Sequence, residues 1–272
     1  MDQRTLRRIR SGGTLPGNAF DTDFPMPELQ NLKPIGWRAK IGVIVPPSNT
    51  VNEAEFNRAA PEGVSFHFTR SPLHADPAAD GFREMLADVK RAMSDLSACR
   101  VAYATYACTA GSMACPADRL LGTMTEAGRV PANSTAQAII AALRALSVAR
   151  IAMASPYTPE TNAHEAHYLE GHGIEVIASA GLSLNTSLEN IQKISRVPPG
   201  EVFAHAKSVD RPEAEAILIC CTDFNTFDAI EPLERAIGKP VVSSNSATLW
   251  HTLRSAGIED RIEGLGTLLR DH

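Results

Sequence analysis

The apolar residues of this chain fall into short runs that stop abruptly, each followed by a polar or amphipathic stretch. Ile41-Gly-Val-Ile-Val45 is a continuous apolar run ended by Pro46-Pro47, the pattern of a strand buried on both faces. Ser48-Asn49-Thr50 then sits where a helix begins, and any of the three can cap it. Val64-Ser-Phe-His-Phe68 alternates apolar and polar positions and predicts a strand with one wetter face. Asp76 to Leu96 spaces Phe82, Met85, Leu86, Val89, Met93 and Leu96 as one face of an amphipathic helix. A strand from Arg100 to Ala107 delivers Cys108. Later come strand Ile151–Ser155, a helix through Tyr168 and Leu169 broken by Gly171 and Gly173, and strand Ile174–Ala178. Helical segments Leu184–Ile194 and Pro199–Ser208 precede an apolar strand ending in Cys220-Cys221. Helix Asn225–Ile237, strand Val241–Val242 and helix Ser246–Ala256 complete the series.

Strands alternating with helices predict an α/β fold with parallel, doubly wound sheets. The pattern also repeats. Ile41 matches Ile151, Gly128 matches Gly238, Ser134 matches Ser244, and Leu143-Arg144 matches Leu253-Arg254, all 110 positions apart. The pairs Cys108-Thr109 and Cys221-Thr222 lie 113 apart, the same register after a short insertion. Several matches in one register indicate a duplicated unit, hence two similar halves related by pseudo-twofold symmetry. The expected boundaries are an arm over 1–37, a first half over 38–146 and a second over 147–243. Residues 244–272 are expected to pack back on the first half. Ligands of such sheets bind beyond the carboxyl ends of the strands, so two facing halves would place both Cys-Thr loops across one cleft.

Composition narrows the classes of function. A net charge of −5 over 272 residues gives no electrostatic reason to expect nucleic acid or an anionic membrane. No apolar run approaches the roughly 18–20 residues that span a bilayer. Arginines near the amino terminus have no apolar core behind them, so no secretory signal is read. Five cysteines without a CxxC pair predict free thiols in a reducing cytoplasm rather than a disulfide framework. Residues 1–37, rich in Arg, Gly, Pro and Asn, read either as an arm that packs on a partner subunit or as a disordered end. A homodimer or homotetramer is expected.

The two Cys-Thr pairs carry the candidate chemistry. Cys108 precedes Thr109-Ala-Gly-Ser112, a small-residue turn into a helix whose N–H groups favour a thiolate or bind a carboxylate. Asp223, close behind Cys221, disfavours ionisation of that thiol if it points at the sulfur. One thiolate and one thiol suit a reaction with a base or nucleophile on one face and an acid on the other. A small buried cysteine is the plain reading of either alone; the matched register argues against it for the pair. Cys220 should face the opposite side of its strand and pack, and Cys99 and Cys115 read as bland. His164 and His167 share a helix face without a third metal-spaced ligand, so no metal is expected. Neither GxxxxGK[ST] nor GxGxxG occurs, so no nucleotide cofactor is expected, and no GxSxG elbow supports a hydrolase triad.

The stretches Val45-Pro-Pro-Ser-Asn-Thr50, Tyr106-Ala-Cys-Thr-Ala-Gly-Ser112, Ser155-Pro-Tyr-Thr-Pro-Glu-Thr-Asn162, Ile219-Cys-Cys-Thr222 and Pro240-Val-Val-Ser-Ser-Asn-Ser-Ala-Thr-Leu-Trp250 resemble the aspartate/glutamate racemase superfamily. Within it, the chain is most similar to the maleate cis-trans isomerase, arylmalonate decarboxylase and ectoine-utilisation branch. The resemblance covers Lys40 onward. It implies two α/β halves, no cofactor and a small carboxylate held between them. By the same resemblance Cys108 would be the nucleophile or base and Cys221 the opposing acid. Asn49, Tyr157 and Asn162 would bind substrate carboxylates, with Ser48 next to the first of them and Thr109 and Thr222 beside the thiols. Asp223 stands where the superfamily's amino-acid racemases carry histidine, which counts against a glutamate racemase. Arylmalonate decarboxylases have only the second cysteine, so Cys108 counts against decarboxylation. The reading is a cofactor-independent isomerase of a small unsaturated, maleate-like dicarboxylate. The alternatives are a two-cysteine racemase or decarboxylase and a non-catalytic carboxylate-binding protein.

Overall fold

The computed structural model describes residues 32–74 and 76–272, so most of the predicted arm lies outside the described residues. Residues 35–272 form one unit. Its first sheet contains β1 (Ala39–Val45), β2 (Val64–Arg70), β3 (Tyr103–Tyr106) and β4 (Ala132–Ser134), in the order β2-β1-β3-β4 and all parallel. The second contains β5 (Arg150–Ser155), β6 (Glu175–Gly181), β7 (Ala216–Ile219) and β8 (Val241–Ser243), in the order β6-β5-β7-β8, again parallel. The predicted fold class holds: two similar α/β halves repeat one topology. The central strands β1 and β7 are buried throughout apart from Lys40, as their unbroken apolar runs require.

The repeat is visible in the hydrogen-bond register. Ile41 pairs with Tyr103 in the first sheet and Ile151 with Ala216 in the second, so β1/β5 are offset by 110 and β3/β7 by 113. The last strand of each half needs a correction. The helix caps Ser134 and Ser243 correspond, as do the left-handed residues Arg129 and Gly238, and both pairs lie 109 apart. The sequence matches of Gly128 with Gly238 and Ser134 with Ser244 are therefore one position out of structural register.

The helices of the first half are α1 (Val51–Arg58), α2 (Arg83–Ala98), α3 (Thr109–Ala114), α4 (Ala117–Gly128) and α5 (Thr135–Ala145). Helix α2 buries Met85, Val89, Met93 and Leu96, as its spacing predicts, but it starts later than Asp76. Gly81 and Phe82 are left-handed, at φ +67° and 66°, which no α-helix continues through. Asp80 instead accepts from the N–H groups of Arg83 and Glu84 and caps the helix there. The helix then lies so close to β1 that a Cβ on Gly42 would stand 2.8 Å from Leu96 Cδ1.

The second half carries α6 (Pro159–Glu170), α7 (Leu188–Ile194), α8 (Pro199–Ser208), α9 (Phe227–Ile237), α10 (Ser244–Ser255) and α11 (Gly266–Asp271). Helix α10 packs along α5 of the first half, and Thr135 and Thr248 share a hydrogen bond of 2.9 Å between them. Helix α11 lies instead on β8 and α9, where Glu234 accepts from Thr267. The segment 244–272 thus touches both halves. Among the described residues no helix is long and apolar enough to cross a membrane.

Candidate active site

The carboxyl ends of both sheets open onto one cavity of about 650 Å³. Of the residues singled out by sequence, Ser48, Asn49, Cys108, Thr109, Tyr157, Cys221 and Thr222 line it. Asn162 does not: it is buried behind the end of β5, where its Oδ1 accepts from Ser155 Oγ. Its part is to shape the turn that carries Tyr157, whose N–H donates to the same Ser155 hydroxyl at 3.0 Å.

Each thiol leaves its strand in a special conformation. Cys108 is extended at the start of α3, and its sulfur rests over Gly111, where an added Cβ would stand 3.1 Å from Sγ and 2.9 Å from Tyr106 Oη. Cys221 is left-handed at φ 88°, a strained state for a residue with a side chain. Cys220, one residue earlier, is fully buried away from the cavity.

The loops are tied to each other across the halves. Ser244 Oγ accepts from Thr109 Oγ1 at 2.8 Å and from the Cys221 N–H at 3.1 Å. Thr222 Oγ1 donates to the Ala107 carbonyl at 2.9 Å and accepts from Asn49 Nδ2 at 3.1 Å. Asn49 Oδ1 meanwhile accepts from Val51 and Asn52 N–H, so among Ser48, Asn49 and Thr50 it is Asn49 that caps α1. The hydroxyls of Thr109 and Thr222 are therefore committed to holding the two cysteine loops in place.

Burial pushes both thiols up, by different amounts. For Cys108 burial raises the pKa to about 11; the Gly111 N–H pulls it back, the Glu165 carboxyl raises it and the Tyr106 hydroxyl lowers it. Cys221 goes higher, through burial and then the charge of Asp223, with the Tyr157 hydroxyl and the Asp223 N–H acting the other way. Both thiols therefore hold their protons at neutral pH, against the thiolate expected at Cys108 from its helix start, because burial outweighs the Gly111 N–H; Cys108 is the more acidic of the two.

Sequence reasoning did not find several wall residues: His74, Thr161, Asn185, Ile191 and Ile194. Asn185 Oδ1 accepts from the Thr158 N–H at 2.7 Å, and its Nδ2 donates to Thr161 Oγ1 at 2.9 Å. His74 is held by Asp88 at 3.1 Å. Thr161 sits on α6 after β5, His74 on the segment after β2, and Asn185, Ile191 and Ile194 on the segment after β6, where nothing in the local sequence sets them apart as wall residues.

Two thiols of unlike acidity line one cavity between duplicated α/β halves. Comparison with known proteins gives the family. The arylmalonate decarboxylase family model matches residues 41–269, and the chain belongs to that family, within the aspartate/glutamate racemase superfamily. It is similar to the maleate isomerase of Alcaligenes faecalis, 28% identical over 85% of this chain and 96% of that one. The arylmalonate decarboxylase of Bordetella bronchiseptica is 31% identical over 49% of this chain and 55% of its own. A cysteine-to-serine mutant of the Nocardia farcinica maleate cis-trans isomerase, solved with a covalently bound succinylcysteine intermediate, superposes with a TM-score of 0.75 at 26% identity, covering 86% of this chain and 99% of that one. The chain is an enzyme of the isomerase branch.

Proposed function

We propose that the protein is a cofactor-independent cis-trans isomerase of a small unsaturated dicarboxylate of the maleate type. The observation that carries this reading is that Cys108 and Cys221 line one cavity, their loops tied to each other across the two halves by Ser244 and Thr222. The covalent succinylcysteine seen in the related isomerase supports a cysteine that adds to the double bond.

Cys108 first gives up its proton to solvent, and its thiolate attacks one alkene carbon, forming a C–S bond while the π pair moves to the neighbouring carbon and its carboxylate. The Cys221 thiol then gives its proton to that carbon, leaving a saturated adduct joined to Cys108. The former double bond is now single and rotates. Return of the proton to the Cys221 thiolate re-forms the double bond and expels the Cys108 thiolate, giving the trans isomer with no net change in either cysteine. Asn49, Tyr157 and Asn185 line the cavity as polar groups for the carboxylates. Preorganised donors at developing charge carry much of such a rate, each worth about 10²–10³-fold elsewhere.

A free pair of reactive thiols fits a reducing compartment such as the cytoplasm, and we expect a homodimer or homotetramer in solution. The division at 38–146 and 147–243 is part of this reading, supported by the repeated strand order. Proton NMR of maleate with the enzyme tests the activity: the trans-alkene signal should grow in, and Cys108→Ser should abolish it. No conversion of any cis-unsaturated acid, with proton exchange at a chiral α-carbon instead, would replace the isomerase by a racemase.

A further inference from the structure

The two halves of the cavity are related by the repeat, yet their charges are not. Two residues after Cys108 stands Ala110, and two residues after Cys221 stands Asp223; both line the cavity. Asp223 is only 6% exposed. Its Oδ1 accepts from the N–H groups of Thr50 and Val51 at 2.8 and 3.3 Å, and its Oδ2 has no hydrogen-bond partner. Among the described residues lining the cavity there is no lysine or arginine. His74, the one histidine on the wall, is already engaged by Asp88, with Glu84 3.9 Å from its other ring nitrogen.

A substrate that is a dianion would bring a carboxylate against this acid, offset only by the charge of Arg70 from outside the cavity lining, in a buried site where like charges within a few ångströms repel strongly. A substrate whose second end is neutral and donates a hydrogen bond would meet Asp223 Oδ2 with the group it lacks. We propose that the cavity selects half-amides of the maleate type: one free carboxylate, and at the other end a carboxamide whose N–H₂ faces Asp223. This rests on the isomerase reading above: it keeps the cis-alkene chemistry and replaces the second carboxylate of the substrate by a carboxamide. Burial raises the Asp223 carboxyl to about 6, so it is charged at pH 8.

The saturated analogues succinate and succinamate, neither of which can be isomerised, separate binding from turnover. Calorimetric titration at pH 8 should show succinamate binding about tenfold or more tightly than succinate, the scale of a partly screened like-charge contact. Asp223→Asn keeps a capping side chain for α1 and removes the charge, and it should close that gap. Asp223→Glu should keep it. Succinate binding as tightly as succinamate to the parent enzyme, or a gap that survives Asp223→Asn, overturns the inference. Competition between maleate and its monoamide, followed by proton NMR, separates the two levels. Conversion of both with maleate preferred leaves the isomerase standing and removes the half-amide. A tighter succinamate complex with no cis-trans conversion of either acid keeps the charge assignment and removes the isomerase.

Discussion

Glu55 and Glu165 lie 110 residues apart, each three after an asparagine on the buried face of the helix that follows the first strand of its half, and their surroundings are opposite. Glu55 accepts from the N–H groups of Thr226 and Phe227 at 2.7 and 2.8 Å and from Asn245 Nδ2 at 2.6 Å, and so caps the helix behind the Cys221 loop. Glu165 is fully buried, and its carboxyl meets no N–H or O–H donor among the described residues, only the weak donor of the Cys220 thiol. Duplication kept the acid in both halves and gave it N–H donors in only one.

Burial pushes Glu165 up to about 8, so the fold holds it as the neutral acid. A carboxyl raised above its unfolded value stabilises the fold fully below about pH 4.5, and that contribution is lost as pH rises through about 8. Glu165→Gln removes the titration. Thermal unfolding from pH 6 to 9 should show the parent losing stability relative to the variant, by about 2–3 kcal/mol between the two ends. Parallel curves across that range would mean Glu165 is not buried as an acid.

Labelling at neutral pH should distinguish the thiols. Cys99 is exposed and should be alkylated without loss of activity, while inactivation should track with Cys108. A carboxylate ligand should slow the second reaction only. Inactivation that follows Cys221 instead would reverse the two roles.

Ser244 receives both thiol loops, so Ser244→Ala should lower turnover as well as stability. Two buried donors lose their acceptor, at about 1–3 kcal/mol each, and the catalytic groups lose alignment, for roughly 10–100-fold in kcat. Steady-state kinetics beside thermal unfolding reads both, and a loss of stability with unchanged kcat would make Ser244 purely structural.

Gly111→Ala puts a methyl group where Cys108 Sγ and Tyr106 Oη now stand. Displacement of the sulfur by a few tenths of an ångström should cost roughly 10-fold in kcat while the fold survives. Full activity with an unchanged alkylation rate at Cys108 would show that the sulfur does not need this seat.

Much of this architecture is legible in the sequence because it is local. Buried parallel strands such as Ile41–Val45 carry unbroken apolar runs, and the two Cys-Thr pairs mark strand ends directly. What escaped is set by tertiary closure. Ser244 lies 135 residues from Thr109 and looks like one serine among several at a helix start. Asn185 sits on a segment whose position depends on Thr158 and Thr161, not on any period of its own. Asn162, in contrast, has the sequence of a ligand-binding residue, but Ser155 holds it behind the strand end. Helix α2 starts late because Gly81 and Phe82 turn left-handed, a backbone state that the apolar spacing does not encode.

Intact-mass analysis of Cys221→Ser incubated with maleate, or with its monoamide, tests the central claim most directly. Serine is a far weaker acid and base than cysteine at this position, so the adduct on Cys108 should form and then be slow to leave. The mass should rise by one substrate molecule per chain, and peptide mapping should place it on Cys108. An adduct on any other cysteine, or turnover at the parent rate with no adduct in either protein, would contradict the account.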